Sequence, residues 1–519
     1  MSPHVESEPR SGHNLAWAFH QRSRAQPSRP ALWVDGRSIS YAQLGDRAAR
    51  IAGWLHRAGI SRGSRVGVLS SRGELAYAGI LGVAWAGATY VPLNAKNPEA
   101  RLVDLVTRAE LQALIVDESG AAALTSALLA ASPREVLDAR GAEKILNSAE
   151  PLAEPVAMAA DDTAYLMFTS GTTGVPKGVM VSTGNVAHFL RVMQERYRIG
   201  PEDRLSQFFE LTFDLSVFDL FMAWGGGACL YSIPESERFS PANFIREQAL
   251  TVWFAVPSAI AFMMRVKALA PGSLPSLRLS LFCGEALQAA AAEQWRAAAS
   301  NGALDNLYGP TEATVACTVE PCTEQISVTK DRGIVAIGTA FDGMLAGIVD
   351  ARMQFLASGE IGQLVLSGPQ IAPGYWRDPD LTAERFPVLE HPSLGARVFY
   401  LTHDRAYRDD DGRFHFLGRL DNQVKIHGHR AELEEIDAHL HAISGAAAAA
   451  IAWPVNNGSA DGVVAFVAGG NLSSDDIRQR MKQTVPWYMV PRRIVQLEHL
   501  PLTSNGKVDR AALARLLDP

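Results

Sequence analysis

Tyr165–Met180 reads YLMFTSGTTGVPKGVM. An apolar, β-forming run ends in Thr169-Ser170-Gly171-Thr172-Thr173-Gly174, and Lys177 follows shortly after. Glycines let the backbone approach a ligand closely, successive N–H groups and hydroxyls form a seat for an anion, and the lysine adds positive charge. The stretch departs from the Gly-x4-Gly-Lys-Ser/Thr pattern of nucleotide-binding loops, because Pro176-Lys177-Gly178 puts no hydroxyl behind the lysine. A plain Ser/Thr/Gly turn after a strand is the alternative that six residues alone leave open.

The surrounding chain narrows the choice. Its 519 residues exceed the usual size of one core, so two or more domains are expected. A content of 47% hydrophobic and 20% charged residues is that of a globular protein. The net charge of -7 argues against a nucleic-acid partner, which would call for a basic surface. Cys229, Cys283, Cys317 and Cys322 form no C-x-x-C pair and are too few for a disulfide framework, which points to a reducing, cytoplasmic setting. The polar N-terminus lacks the apolar core of a signal peptide, and no apolar run is long enough to span a membrane.

After a lead-in of about 30 residues, expected to be mobile, short β-rich runs (SRVGVLS, ALIVD, AYLMFTS) alternate with Ala/Leu/Arg-rich helical stretches. That alternation predicts an α/β domain with a largely parallel sheet. The stretch from Arg134 to Thr163 reads as a loop-rich surface connection. Gly-punctuated strands near Gly359–Trp376 suggest a smaller β-rich subdomain. From Arg408 onward the pattern gives a hairpin, a charged turn, another strand and an amphipathic helix, with a domain boundary near Leu420–Asp421.

Five segments occur in order: YLMFTSGTTGVPKGVMVS, NLYGPTEAT, YLTHD, GRLDNQVKIHGHRAELEEID and PLTSNGKVDR. Together they resemble the adenylate-forming superfamily of acyl-CoA synthetases, luciferases and nonribosomal peptide synthetase adenylation domains, over nearly the whole chain. The fold so implied is α/β: a large N-terminal domain of αβ-layered sheets with a small β-rich subdomain (1–420) and a small mobile α+β C-terminal domain (421–519). The quoted loop would then hold the phosphates of ATP while a carboxylate attacks the α-phosphorus and pyrophosphate leaves.

The resemblance also implies roles. Thr169, Ser170, Gly171, Thr172, Thr173, Gly174 and Lys177 surround the β- and γ-phosphates. Glu312 is the Mg²⁺ ligand, since magnesium takes hard carboxylate and phosphate oxygens. Thr311 contacts the α-phosphate and Tyr308 stacks on adenine, with Gly284, Glu285, Ala286, Asn306, Leu307 and Gly309 around the nucleotide. Asp404 holds the ribose hydroxyls, helped by Arg419, although His403 stands where the family usually has glycine. Lys507 bridges the substrate carboxylate and α-phosphate. Asp421 is the hinge about which the small domain turns, withdrawing Lys507 and bringing in KIHGHR to shape a thiol tunnel at Gly428.

Substrate choice rests on FELTFDLSVFDLFMAW. Asp214 sits where amino-acid-activating members keep an aspartate for the substrate ammonium, and a buried carboxylate is costly until a cation pairs with it. The alternative is that Asp214 merely caps the helix that follows. The matching pocket positions are Leu215, Phe218, Ser258, Leu281, Cys283, Leu307, Val315 and Ala316, none of them charged. They suit a small neutral amino acid, proline- or alanine-like, and the segments are similar to D-alanine:carrier-protein ligases and also resemble stand-alone prolyl-carrier ligases. The expected reaction is AMP-forming activation, then transfer to the phosphopantetheine thiol of a carrier protein acting in trans, as in nonribosomal peptide and antibiotic biosynthesis. Two competing readings are an acyl-CoA synthetase for an acid without an amine, which would not need Asp214, and a nucleotide-binding module without catalysis, which would not need Lys507.

Overall fold

In the computed structural model the described residues are 11–171, 175–238, 240–456, 459–503 and 508–517. Thr172, Thr173, Gly174 and Lys507 therefore lie outside the described residues.

Among the described residues two large sheets dominate. The first has seven strands in the order Gly374–Tyr375, Lys177–Ser182, Thr163–Thr169, Thr89–Asn94, Arg65–Ser70, Ala113–Val116, Glu135–Asp138. The strands from Thr163–Thr169 to Glu135–Asp138 pair in parallel, and the inner strands Thr89–Asn94, Arg65–Ser70 and Ala113–Val116 are buried on both faces, as crossover helices require. The second sheet has nine strands, from Thr339–Ala340 at one edge through Ala303–Tyr308, Leu279–Phe282, Val252–Ala255 and Arg204–Gln207 to Arg37–Ser40 at the other.

Two helices are apolar all round, and both are buried, as such a helix must be. Glu74–Trp85 has its residues from Leu75 onward buried, and Leu215–Gly226 is nearly as enclosed. The amphipathic helix Tyr41–Arg57 starts with a capping box between Ser40 and Gln43 and lies against Glu74–Trp85. The two backbones come so close that a Cβ on Gly82 would stand 2.7 Å from Ile51 Cβ. One core cluster unites both sheets and these helices.

A four-stranded antiparallel sheet, Leu345–Val349, Gly362–Ser367, Tyr400–Arg408 and Phe414–Arg419, makes the β-rich subdomain. Beyond it the core changes: a separate cluster of Ile426, Ile436, Leu440, Val467 and Met481 packs helices Leu433–Ser444 and Ser474–Thr484 on the sheet Ala447–Ala452, Val463–Ala468, Arg493–Leu497.

Two expectations from the sequence are corrected. The N-terminal lead-in contains the helix Ala16–Ala25, anchored by buried Leu15, Ala16 and Phe19. The stretch from Arg134 holds the edge strand Glu135–Asp138 and the helix Ala139–Ser148, started by Asp138 accepting from the N–H groups of Arg140 and Gly141. A four-residue edge strand and a helix that buries only Ala142 and Leu146 are too brief to stand out from a loop in periodicity alone.

Candidate active site

A cavity of about 440 Å³ opens between the sheets, the β-rich subdomain and the small domain. Thr169 and Ser170 line it at the end of Thr163–Thr169, which pairs antiparallel with Lys177–Ser182 so that Thr169 stands opposite Lys177. Thr169 Oγ1 is buried without a hydrogen-bond partner, an acceptor-seeking hydroxyl beside the cavity. Lys177 is buried too, with Nζ 4.0 Å from Glu312 Oε1, 3.9 Å from Glu432 Oε1 and over the Tyr375 ring. Burial, followed by repulsion from Arg430, lowers its pKa to about 8.

Glu312, in the single turn Thr311–Ala313, is fully buried. Tyr375 Oη donates to its Oε1 at 2.8 Å, and Arg430 Nη1 lies 3.1 Å from Oε1 and 3.0 Å from Oε2. Burial alone would raise this carboxyl, but Arg430 and Lys177 outweigh it and hold the pKa down to about 2. The permanently ionised carboxylate has the chemistry of a magnesium ligand. As arranged here it does not fit one, because a guanidinium covers both of its oxygens.

Elsewhere on the cavity wall, Asp404 accepts from Arg419 Nη1 at 2.6 Å through Oδ1 and from the Tyr308 hydroxyl through Oδ2. Thr402 Oγ1 accepts from Asp404 N at 2.9 Å and fixes the turn. Gly284, Glu285, Ala286, Asn306, Leu307, Gly309 and Thr311 line the same cavity. Glu285 also accepts from Ser258 N at 2.8 Å, at the start of helix Pro257–Arg265.

Asp214 lines the cavity in front of Leu215–Gly226 but makes no capping hydrogen bond, so the helix-cap alternative is set aside. Its Oδ2 is buried without a partner, and burial pushes the carboxyl up to about 6. Of the residues that shape this corner, Val315 was among the expected pocket positions, whereas Thr314 and Gln370 were not singled out in the sequence. Thr314 and Val315 take left-handed backbone, φ 57° and 69°, unusual for β-branched residues. Gln370 holds them there: its Nε2 donates to Ala316 O at 2.7 Å and its own carbonyl accepts from Thr314 Oγ1 at 2.6 Å. Strain of this kind persists only where the surroundings over-determine it. Leu215 and Leu307 reach the wall, whereas Phe218, Leu281, Cys283, Val315 and Ala316 are buried beside it. Phe218 packs edge-on against Phe254 at 5.0 Å, within the core rather than on the cavity wall.

The small domain closes the cavity with the hairpin Gln423–Ile426, His429–Glu432. Gly428, at φ 83°, brings its backbone against Val256, where a Cβ would meet Cγ1 at 2.8 Å. Lys425 lines the wall, and burial lowers its pKa. His429 stacks on Tyr488 at 4.3 Å and meets Phe213 edge-on, while exposed Trp487 stands at the rim. Asp421 lines the cavity between the strands Phe414–Arg419 and Gln423–Ile426, held by Arg419. Arg430, Glu432, Glu435 and Lys425 carry much of this face. The sequence signal for them was the charge density of KIHGHRAELEEI, but it did not say which charges turn inward.

Comparison with known proteins gives one family. The profile of the AMP-binding enzyme family matches residues 19–376. The chain is 32% identical over 517 residues to tyrocidine synthase 2 of Brevibacillus parabrevis, covering 98% of this chain and 14% of that protein. It is 33% identical over 502 residues to a dimodular nonribosomal peptide synthase of Bacillus subtilis (strain 168), covering 95% of this chain and 20% of that protein. The chain thus spans a small fraction of the length of these curated relatives. Among solved structures it is similar to the Vibrio cholerae adenylation domain AlmE in complex with glycyl-adenosine-5'-phosphate, at TM-score 0.84 and 32% identity, covering 96% of this chain and 97% of that one. It is also similar to a holo nonribosomal peptide synthetase protein containing adenylation and PCP domains bound to a vinylsulfonamide inhibitor, at TM-score 0.83 and 25% identity, covering 98% of this chain and 84% of that one. Among the described residues, no helix is long and apolar enough to cross a membrane.

Proposed function

We propose a function from one premise: the chain belongs to the AMP-binding enzyme family. The protein activates a small neutral amino acid with ATP, releasing pyrophosphate, and passes the aminoacyl group to the phosphopantetheine thiol of a carrier protein. The observation that carries this reading is Asp214, a buried carboxylate on the cavity wall with an oxygen that has no partner. Such a group is costly unless a cation arrives, and the ammonium of an amino acid is that cation.

In the first half-reaction a carboxylate oxygen of the amino acid attacks the α-phosphorus, and the bond to the β-phosphate breaks with its electron pair leaving on pyrophosphate. Lys177 and Thr169 face the departing phosphates, Asp404 and Arg419 the ribose, and Asp214 anchors the ammonium so that the carboxylate is positioned for in-line attack. Lys507, outside the described residues, bridges the reacting groups. In the second, the thiol sulfur attacks the acyl carbon and AMP leaves. Hydrophobic Leu215 and Leu307 on the wall offer no partner to a charged substrate side chain. The glycyl adenylate in AlmE and the carrier domain joined to the adenylation domain in the second neighbour support the same reading.

The test is ATP–pyrophosphate exchange across the amino acids, D-alanine, β-amino acids and short fatty acids. Exchange with a small neutral amino acid, lost in Asp214→Ala, is expected. Exchange only with acids lacking an amine would make this an acyl-CoA synthetase instead.

A further inference from the structure

Gln370, in the loop after strand Gly362–Ser367, is fully buried and does not line the cavity. Its Nε2 donates to three backbone carbonyls of one turn: Ala313 O at 3.2 Å, Thr314 O at 3.3 Å and Ala316 O at 2.7 Å. The loop that carries it is braced in turn. Asn185 Nδ2 donates to Pro369 O at 2.7 Å and to Ile371 O at 3.1 Å, and Ala372 N donates to Glu312 O at 2.9 Å. Because three carbonyls fix the amide nitrogen of Gln370, its Oε1 is left to helix Thr183–Tyr197, where it accepts from His188 Nδ1 at 3.2 Å. Burial lowers the pKa of the His188 ring, and its neutral Nε2 meets Arg191 Nη2 at 3.3 Å.

The turn gripped in this way sets the surroundings of Asp214. Thr314, at φ 57° and ψ 82°, and Val315, at φ 69°, hold left-handed backbone that a β-branched residue keeps only under constraint. On its other side the turn is tightly packed, and a Cβ on Gly309 would stand 2.5 Å from Ala316 Cα. Burial raises the Asp214 carboxyl, and the Thr311 hydroxyl and the Val315 N–H both work against that rise. A relaxed turn would swing the Val315 N–H away, and the carboxylate would lose a donor where it must stay charged to meet a cation.

We propose that Gln370 is a positioning residue for the amino-acid end of the site: it holds the turn 313–316 so that the Val315 N–H faces Asp214, and His188 fixes the Gln370 amide from behind. This rests on the reading of Asp214 as the partner of a substrate ammonium. None of the hydrogen bonds of the Gln370 side chain goes to Lys177, Asp404 or Arg419. Amino-acid affinity therefore depends on Gln370, and nucleotide affinity does not.

Steady-state ATP–pyrophosphate exchange on the full chain tests this, with alanine, proline or whichever amino acid the wild type exchanges fastest. Gln370→Met keeps the length of the side chain and removes its amide. It is expected to raise the KM for the amino acid about 10-fold, the worth of one or two net hydrogen bonds, and the KM for ATP by less than about 2-fold. A merely structural role would lower kcat through lost active protein and leave both KM values unchanged. His188→Leu is expected to raise the amino-acid KM about 3-fold and to add nothing in the Gln370→Met background, since it acts through that amide. His188→Asn, which keeps a donor near the place of Nδ1, should restore most of the loss. An unchanged amino-acid KM in Gln370→Met, or equal rises in both KM values, overturns the proposal. If that variant does not fold, the same split in His188→Leu, or its absence, decides. Additive effects in the double variant overturn the part given to His188. A wild type that exchanges only acids lacking an amine overturns the reading of Asp214 itself, and the role of Gln370 with it.

Discussion

His403 Nδ1 lies 3.3 Å from Asp421 Oδ2. The two residues flank the passage from the β-rich subdomain to the small domain, and Leu420 N donates to His403 O at 2.9 Å between them. Arg419 also grips Asp421, through Nε at 2.5 Å and Nη2 at 2.6 Å. His403 pays a conformational cost for its place, with φ at 58°. Replacing it with glycine is expected to raise stability by about 1 kcal/mol, because glycine takes left-handed backbone without strain. Thermal and denaturant unfolding of His403→Gly measure this; a clear loss of stability would mean that the Asp421 contact outweighs the strain.

Asp214→Asn should weaken amino-acid activation by roughly 100-fold or more, the usual cost of removing one partner of a buried charge pair. The pH dependence has a definite sign. Burial raises the Asp214 carboxyl to about 6, so the unliganded folded state holds a proton that the unfolded chain has released. Stability from this group is full below the unfolded value and falls as pH rises through about 6. The unliganded Asp214→Asn protein is therefore expected to be more stable than wild type at pH 7.5, by about 3 kcal/mol, and no different near pH 3.5. Equal stability at both pH values would show that the carboxylate is already compensated.

Lys177→Met should cut nucleotide affinity by about 10- to 100-fold, the worth of a hydrogen bond to a charged group in a buried site. With the lysine at about 8, affinity of the wild type should decline as pH climbs through that value, since the ammonium is the form that meets phosphate. Nucleotide titrations between pH 6.5 and 9 check both. An affinity flat with pH in wild type would assign the phosphate contacts elsewhere.

Gly428→Ala should impair carrier loading far more than ATP–pyrophosphate exchange. A Cβ there meets Val256 at 2.8 Å, and left-handed φ adds about 1–2 kcal/mol for any other residue. Comparing the two half-reactions in Gly428→Ala, and in Gly428→Ala with Val256→Ala, separates the clash from the backbone term. Equal loss of both half-reactions in the single variant would speak against a role confined to docking.

The sequence by itself determined the family, the alternation of strands and helices, and the strand that presents Thr169 and Ser170, because these are written in local periodicity and in short motifs whose residues act together. It also pointed to Asp214, through the resemblance of FELTFDLSVFDLFMAW to the segment in which amino-acid-activating members keep an aspartate. Local pattern failed where the signal was short, as in the edge strand Glu135–Asp138 and the helix Ala16–Ala25. Only the tertiary structure decided that Asp214 does not cap its helix, that Gln370 holds Thr314 and Val315 in strained backbone, and that Arg430 rather than solvent faces Glu312. Those pairings join residues separated by as many as 118 positions in the chain. No propensity or periodicity encodes them, because what selects such partners is the burial of charge in a common cavity after the chain has folded.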